Sequence, residues 1–284
     1  MNKLDLPLTD KDILSRNHVH VSGEGERTVV LAHGFGCDQN MWRFLIPSLE
    51  SHFRVVVFDY VGSGNSRVLD YDKQRYQALE GYAQDVIEVF DALGLKDAIF
   101  VGHSVSSIIG TIASQERPDL FSQLVMICPS PCFLNLGTEY SGGFNKEDLE
   151  ELINLMDKNY IGWANYLAPL VMGQSHSEEL VSELSGSFCS TDPKYSKPFA
   201  KATFFSDYRS ILSDVTHPCL IIQSAHDSLA SVEIGEYMAT EIPNSKIDVI
   251  DGVGHCLHMT EPKKVLDSMN AFLKSPEKGQ FGVK

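Results

Sequence analysis

A serine in a tight turn is the first candidate for chemistry in this chain. The stretch "IFVGHSVSSIIG", residues 99–110, begins as a short apolar run, turns through "GHSVS" around Ser104 and continues as a segment that could be helical. A small-x-Ser-x-small sequence between a strand and a helix is typical of a nucleophilic serine, and its last position is usually glycine. Here that position is Ser106, which predicts about 1 kcal/mol of packing strain but removes no reacting group.

A serine nucleophile needs a base, and the base needs an acid that holds its tautomer and stabilises its charge. Asp227 follows the apolar run in "CLIIQSAHDSLAS", and His255 follows the next run in "KIDVIDGVGHCLH". The chain order serine, acid, histidine is that of the α/β hydrolases. Both residues come after strand-like runs, and ligands bind at the carboxyl ends of strands in such sheets. We therefore predict Ser104, Asp227 and His255 as the catalytic residues.

Other assignments of these roles stay open at the level of the sequence. Asp207 and Asp251 are rival acids, although Asp251 lies too near His255 to belong to the preceding strand's loop, and His258 is a substitute base. Ser104 could also be only a small turn residue, Asp227 a helix N-cap and His255 a loop histidine.

Acyl transfer also needs hydrogen-bond donors for the developing oxyanion. The N–H of Val105, directly after the serine, is one predicted donor. The second is the N–H of Phe35 in "LAHGFG", a glycine-containing loop after an early apolar run. In the same segments, His33 is predicted to brace its loop and His103 to have a structural role.

The elements that must position these residues alternate between strand-like and helix-like segments. Such alternation indicates an α/β fold with a mostly parallel sheet flanked by helices. Val19 and Val21 suggest an antiparallel edge hairpin, and helices are predicted at 81–93 and 262–273. The predicted strands are 28–32, 55–58, 98–101, 124–128, 219–223 and 246–250.

Residues 131–214 break this alternation, because they contain helix-like segments and many aromatic residues but no convincing strand. We therefore expect a single domain, with a core formed by residues 1–130 and 215–284 and a helical lid formed by residues 131–214.

The composition excludes several classes of function. The chain has 284 residues and a formal net charge of −15, which argues against nucleic acid and anionic membranes as partners. No apolar run approaches the roughly 18 residues of a membrane span. The six cysteines form no C-x-x-C pair, which predicts a reduced, cytoplasmic protein without disulfides or a metal site. The predicted chemistry needs no cofactor.

Several longer motifs resemble the RsbQ-type α/β hydrolases, bacterial stress-response regulators whose relatives include the plant karrikin and strigolactone receptors. The motifs include "VVFDYVGSGNS", "FVGHSV", "NYIGWA" and "GHCLHMTEP", and the resemblance extends from about Ile13 to Leu273. It implies the same triad and oxyanion donors as above, a helical lid over a deep apolar pocket, and a PAS-domain phosphatase as a possible partner. Ser106 departs from the family's glycine. The resemblance implies pocket walls at Phe35, Phe133, Phe144, Trp163 and Phe204.

The sequence thus predicts a serine hydrolase for a small hydrophobic ester or lactone, which would regulate a general stress response. The alternative is a receptor or regulator that binds a small hydrophobic ligand with little or no turnover. A third interpretation uses the same fold for haloperoxidase-like or carbon–carbon bond chemistry, because fold does not determine reaction.

Overall fold

A single twisted sheet organises the molecule. The computed structural model describes residues 8–173 and 178–274, and these contain seven strands in the order β1-β3-β2-β4-β5-β6-β7. Strand β1 pairs antiparallel with β3, and all other neighbouring pairs are parallel. The strands are β1 (His20–Ser22), β2 (Thr28–Ala32), β3 (Arg54–Phe58), β4 (Ala98–His103), β5 (Phe121–Ile127), β6 (Cys219–His226) and β7 (Ser245–Val253).

Helices cover both faces of this sheet, which confirms the predicted α/β class. In the described residues they are α1 (Asp10–Arg16), α2 (Ile46–Leu49), α3 (Leu79–Ala92), α4 (Val105–Glu116), α5 (Lys146–Lys158), α6 (Tyr160–Met172), α7 (Glu178–Ser190), α8 (Pro193–Phe204), α9 (Val232–Glu241), α10 (Leu257–Thr260) and α11 (Pro262–Leu273). No helix among them is long and apolar enough to cross a membrane.

The apolar runs of β2–β6 form strands that are buried on both faces. Side chains alternate along a strand, so Val29 and Leu31 of β2 join one hydrophobic cluster, which includes residues of α11. Val30 and Ala32 join a second cluster, which includes residues of α3 and α4. Continuous burial explains why the central strands are apolar throughout rather than alternating.

All six predicted strands are confirmed, with ends that differ by up to three residues. The predicted helix at 262–273 is confirmed with the same bounds, and the helix predicted at 81–93 begins two residues earlier. The antiparallel edge exists, but a hairpin was the wrong expectation, since β1 pairs with β3, which follows β2 in the chain.

Helices α5–α8 lie between β5 and β6, where the sequence has its aromatic-rich segment. In the described part of this segment, β-structure is limited to isolated bridges, one of which joins Cys132 to Asp207. We call α5–α8 and their connections the insertion. Its division from the core as a lid at residues 131–214 stays a proposal.

Candidate active site

Ser104 lies in the turn between β4 and α4, with backbone angles of φ 55° and ψ −122°. A non-glycine residue rarely has a positive φ, and such strain is often found at functional sites. The turn is held by a hydrogen bond of 2.8 Å from the Ser104 N–H to the carbonyl of Ile127. Gly102 allows the close approach of α4, because a Cβ there would lie 2.6 Å from the backbone of Ser106. The turn therefore presents the serine hydroxyl at the carboxyl end of the sheet.

Ser104, His255 and Asp227 form a continuous hydrogen-bonded chain. The Nε2 atom of His255 lies 2.7 Å from the Oγ atom of Ser104. Its Nδ1 atom lies 2.7 Å from the Oδ2 atom of Asp227. Since a carboxylate only accepts hydrogen bonds, Nδ1 carries the proton and donates to Asp227, and Nε2 is left to accept from the serine hydroxyl. All three side chains are buried.

The carboxylate of Asp227 is stabilised in its charged form. Burial alone would raise the pKa of Asp227, but the His255 ring and hydrogen bonds from three N–H groups hold this pKa below its usual value. Two of these donors are the backbone N–H groups of Leu229 and Ala230, at 2.8 and 3.1 Å from Oδ1. Asp227 is therefore a fixed anion that orients His255.

The main chain at His255 forms hydrogen bonds with two other elements. Its N–H donates to the carbonyl of Val171 at 2.7 Å, near the C-terminal end of α6. Its carbonyl accepts from the Nε2 atom of His103 at 2.8 Å. The hydroxyl of Ser228 donates to the carbonyl of Leu170 at 2.6 Å. Carbonyls in the last turn of a helix lack partners within the helix, so the loops that carry Asp227 and His255 cap α6.

The rival residues lie outside the hydrogen-bonded chain. Asp207 forms an ion pair with Arg209 at 2.8 Å, and the side chain of Asp251 is exposed. His258 is buried against Trp42, with ring centroids 4.6 Å apart.

His103 is buried, and burial together with the nearby His255 lowers the pKa of His103 to about 3. His103 is therefore neutral at physiological pH, which fits its predicted structural role.

The two predicted oxyanion donors are on separate elements that meet at the serine. Val105 is the first residue of α4, so its N–H has no acceptor within the helix, and the positive end of the helix dipole faces the same space. Phe35 follows β2 in the loop that starts at His33. As predicted, His33 braces this loop. Its Nδ1 atom lies 2.9 Å from the Gly34 carbonyl oxygen, and its Nε2 atom accepts a hydrogen bond from the Tyr60 N–H at 3.2 Å.

Ser106 has partners for its hydroxyl, which the expectation of packing strain did not foresee. Its side chain is fully buried, and its hydroxyl donates to the carbonyl of His33. The hydroxyl of Tyr60 lies 3.0 Å from Ser106 Oγ. Because the single Ser106 proton is used on His33, Tyr60 is the donor in this second bond. Ser106 therefore links the turn at Ser104 to the loop that carries Phe35.

A cavity of about 30 Å³ adjoins Ser104 and His255. Of the five predicted pocket residues, Phe35, Phe133 and Phe204 line this cavity. The other two are not among the residues that line it and stay predictions as pocket residues. Trp163 packs against Phe35, with ring centroids 6.1 Å apart. Phe144 instead lines a neighbouring surface groove of about 640 Å³.

The cavity and the groove share three wall residues, Leu167, Phe204 and Leu229. The deep pocket expected from the resemblance is therefore divided into two spaces. This division depends on the directions in which side chains of the insertion point. These directions follow from the packing of its helices, which sequence spacing does not reveal.

Sequence reasoning missed two residues near the reacting groups. Cys128, which directly follows β5 and has φ 49°, has its sulfur within 4.8 Å of a carboxylate oxygen of Asp227 and a nitrogen of His255. Burial and the nearby Asp227 charge raise the pKa of this thiol, so it stays protonated. Its position after the strand next to β6 is the signal that could have found it. Phe188, on α7, lines the cavity.

The fold and this site define the class of protein. Residues 27–262 match the family model of the α/β hydrolase fold, and the chain belongs to that family. It is 41% identical to the probable esterase D14L of Oryza sativa subsp. japonica, over 88% of this chain and 93% of that protein. It is 40% identical to the karrikin insensitive 2 receptor CA of Petunia hybrida, with the same coverage of both chains. The relationship to the plant receptors that the motifs predict is confirmed.

A solved structure is more similar still. A hydrolase from Oleispira antarctica shares 60% sequence identity and superposes with a TM-score of 0.90, over 93% of this chain and 99% of that one. A bromoperoxidase from Bacillus anthracis has a TM-score of 0.84 at 22% identity, which reflects the fold alone.

Proposed function

We propose that this protein is a serine hydrolase that cleaves a small hydrophobic ester or lactone and acts as a signalling regulator. The observation that carries the proposal is the hydrogen-bonded chain from Ser104 through His255 to Asp227, with both donor–acceptor distances at 2.7 Å. The chain borders an apolar cavity, in which such hydrogen bonds are stronger than in water. The names of the relatives, an esterase and a receptor, support both halves of the proposal.

In the proposed reaction, Ser104 Oγ attacks the carbonyl carbon of the ester while His255 Nε2 takes the hydroxyl proton. Asp227 stabilises the imidazolium through Nδ1–H, and the N–H groups of Phe35 and Val105 bind the oxyanion. When the tetrahedral intermediate collapses, His255 gives its proton to the departing alcohol oxygen, leaving an acyl group on Ser104. Water, deprotonated by His255, then attacks this acyl group, and the proton returns to the serine as the acid leaves.

The test is turnover of a small fluorogenic ester together with intact-protein mass spectrometry. We expect the wild-type protein to release the fluorophore or to gain the mass of one acyl group. We expect Ser104→Ala to do neither. Ser114→Ala is the matched control, because Ser114 is a buried serine on the same helix that donates to the Thr111 carbonyl at 2.9 Å. Equal activity in wild type and Ser104→Ala would refute the serine as the nucleophile.

The second candidate function is a receptor with little turnover, favoured by the receptor among the relatives and by the small apolar cavity next to Ser104. Ser104→Ala separates the two in a cell that depends on the signal. A pure receptor keeps signalling without the serine, whereas a regulator that depends on hydrolysis loses it. The stress-response role and a PAS-domain phosphatase as the partner belong to this proposal through the motif resemblance alone, as does the action of the insertion as a lid.

A further inference from the structure

The space next to Ser104 is small. A cavity of about 30 Å³ holds roughly two water molecules, since each needs about 10–15 Å³ of such space. That is comparable with the carbonyl and methyl of an acetyl group. Apart from the reacting residues, its walls are mainly apolar and aromatic, so a longer acyl chain would have to displace packed side chains.

Phe188 is the wall residue that comes from α7. It is 2% exposed, and its ring centroid lies 5.2 Å from that of Trp163 and 6.4 Å from that of Phe35. The ring also fills the space above Gly36, where an added Cβ would lie 2.3 Å from two ring carbons. Gly36 has φ 72°, a conformation that favours glycine. The loop that carries Phe35 is thus shaped to admit the Phe188 ring.

Helix α7 is fastened in this position at three points. The hydroxyl of Ser187 donates to the Gly36 carbonyl at 2.8 Å. The guanidinium of Arg43 donates to both carboxylate oxygens of Glu183, at 2.6 Å for the first. The hydroxyl of Tyr160 donates to the Phe188 carbonyl at 2.9 Å. These contacts hold the backbone of α7, and with it that of Phe188, beside the cavity.

We propose that Phe188 determines substrate specificity by restricting the acyl part of the substrate to about the size of an acetyl group. This inference rests on the proposed hydrolase function and names the substrate class for that site: esters whose acyl group is short and carries no charge. The other aromatic residues that line the cavity are poorer candidates for limiting the acyl group. Phe35 carries an oxyanion donor on its backbone, and Phe133 packs edge-on against Phe204, with ring centroids 5.2 Å apart.

The experiment compares kcat/KM for a series of 4-methylumbelliferyl esters: acetate, butanoate, hexanoate and octanoate. One misfitting methylene in an apolar pocket changes kcat/KM by about 10-fold or more. We therefore expect wild type to prefer acetate over butanoate by at least about 10-fold. In Phe188→Ala the preference should move to the longer esters, and Phe188→Leu should lie between the two. Phe90→Leu is the matched control, because Phe90 is buried in the cluster on the other face of the sheet.

A flat chain-length profile in wild type, or the same preference in wild type and Phe188→Ala, would overturn the inference while leaving the hydrolase function intact. If Phe188→Ala does not fold, Phe188→Leu carries the comparison.

Binding of n-alkylboronic acids, from methyl to hexyl, gives a second readout without turnover, because these acids need only the serine and the acyl space. The same length limit should appear, and Phe188→Leu should relax it. Binding without a length limit refutes the inference. Absence of both turnover and serine-dependent boronate binding removes the proposed function and this inference together.

Discussion

The hydroxyl of Ser106 offers a test in which two physical arguments predict opposite signs. If serine at this position only adds bulk to a tight turn, Ser106→Gly relieves strain and stabilises the protein by about 1 kcal/mol. The structure instead gives this buried hydroxyl two partners, the carbonyl of His33 and the hydroxyl of Tyr60. Its removal leaves these buried groups without that partner, and an unsatisfied group costs about 1–3 kcal/mol.

We therefore expect Ser106→Ala to lower the free energy of unfolding by about 2 kcal/mol. We expect Ser106→Gly to lower it by about 3 kcal/mol, because glycine within a helix costs about 1 kcal/mol more than alanine. Urea unfolding measures both values. Ser114→Ala, which loses only a hydrogen bond within its own helix, should cost less than about 1 kcal/mol. Stabilisation by Ser106→Gly would show that strain outweighs the hydrogen bonds and would refute this reasoning.

Two further predictions concern the stability contributed by buried charged or titratable groups. His103 has a pKa of about 3 in the folded protein and about 6.5 in the unfolded chain, so between these values only the unfolded chain binds the proton. This residue should therefore lower the free energy of unfolding by about 2 kcal/mol between pH 7 and pH 5. Urea unfolding at several pH values should show a weaker pH dependence of this free energy in His103→Gln than in wild type. Some dependence remains in the variant, because His258 is also neutral when buried. Asp85 is fully buried and pairs with Arg75 at 2.6 Å, so Asp85→Ala should lower the free energy of unfolding in urea by about 3–5 kcal/mol. Asp91→Ala, which removes an exposed ion pair, should lower it by less than about 1 kcal/mol. Equal losses in the two variants would refute the role of burial.

The sequence predicted the parts of the molecule that follow from chain order and strand context. The placement of Asp227 and His255 near Ser104 could be predicted because each follows a strand, and the carboxyl ends of parallel strands meet at one edge of the sheet. Strands β2–β6 were visible because burial on both faces makes them apolar throughout.

Residues that depend on packing between helices were not predictable in the same way. Trp163 and Phe144 lie outside the cavity because the directions of their side chains follow from how the helices of the insertion pack. Phe188, which lines the cavity, packs over Gly36, about 150 residues earlier in the chain. The partners of Ser106 are likewise distant in sequence, so spacing alone suggested strain where the fold provides hydrogen bonds.

The capping of α6 has a consequence for protein engineering. Because the carbonyls of Leu170 and Val171 accept from Ser228 and His255, the end of this helix is held in place by the loops that carry Asp227 and His255. A chimera that exchanges residues 131–214 between relatives must therefore preserve these two backbone acceptors, or exchange the loops at 227–228 and 254–255 with them. The boundaries at residues 131 and 214, which look natural on the linear sequence, do not coincide with the boundaries of the hydrogen-bonded unit in the folded molecule.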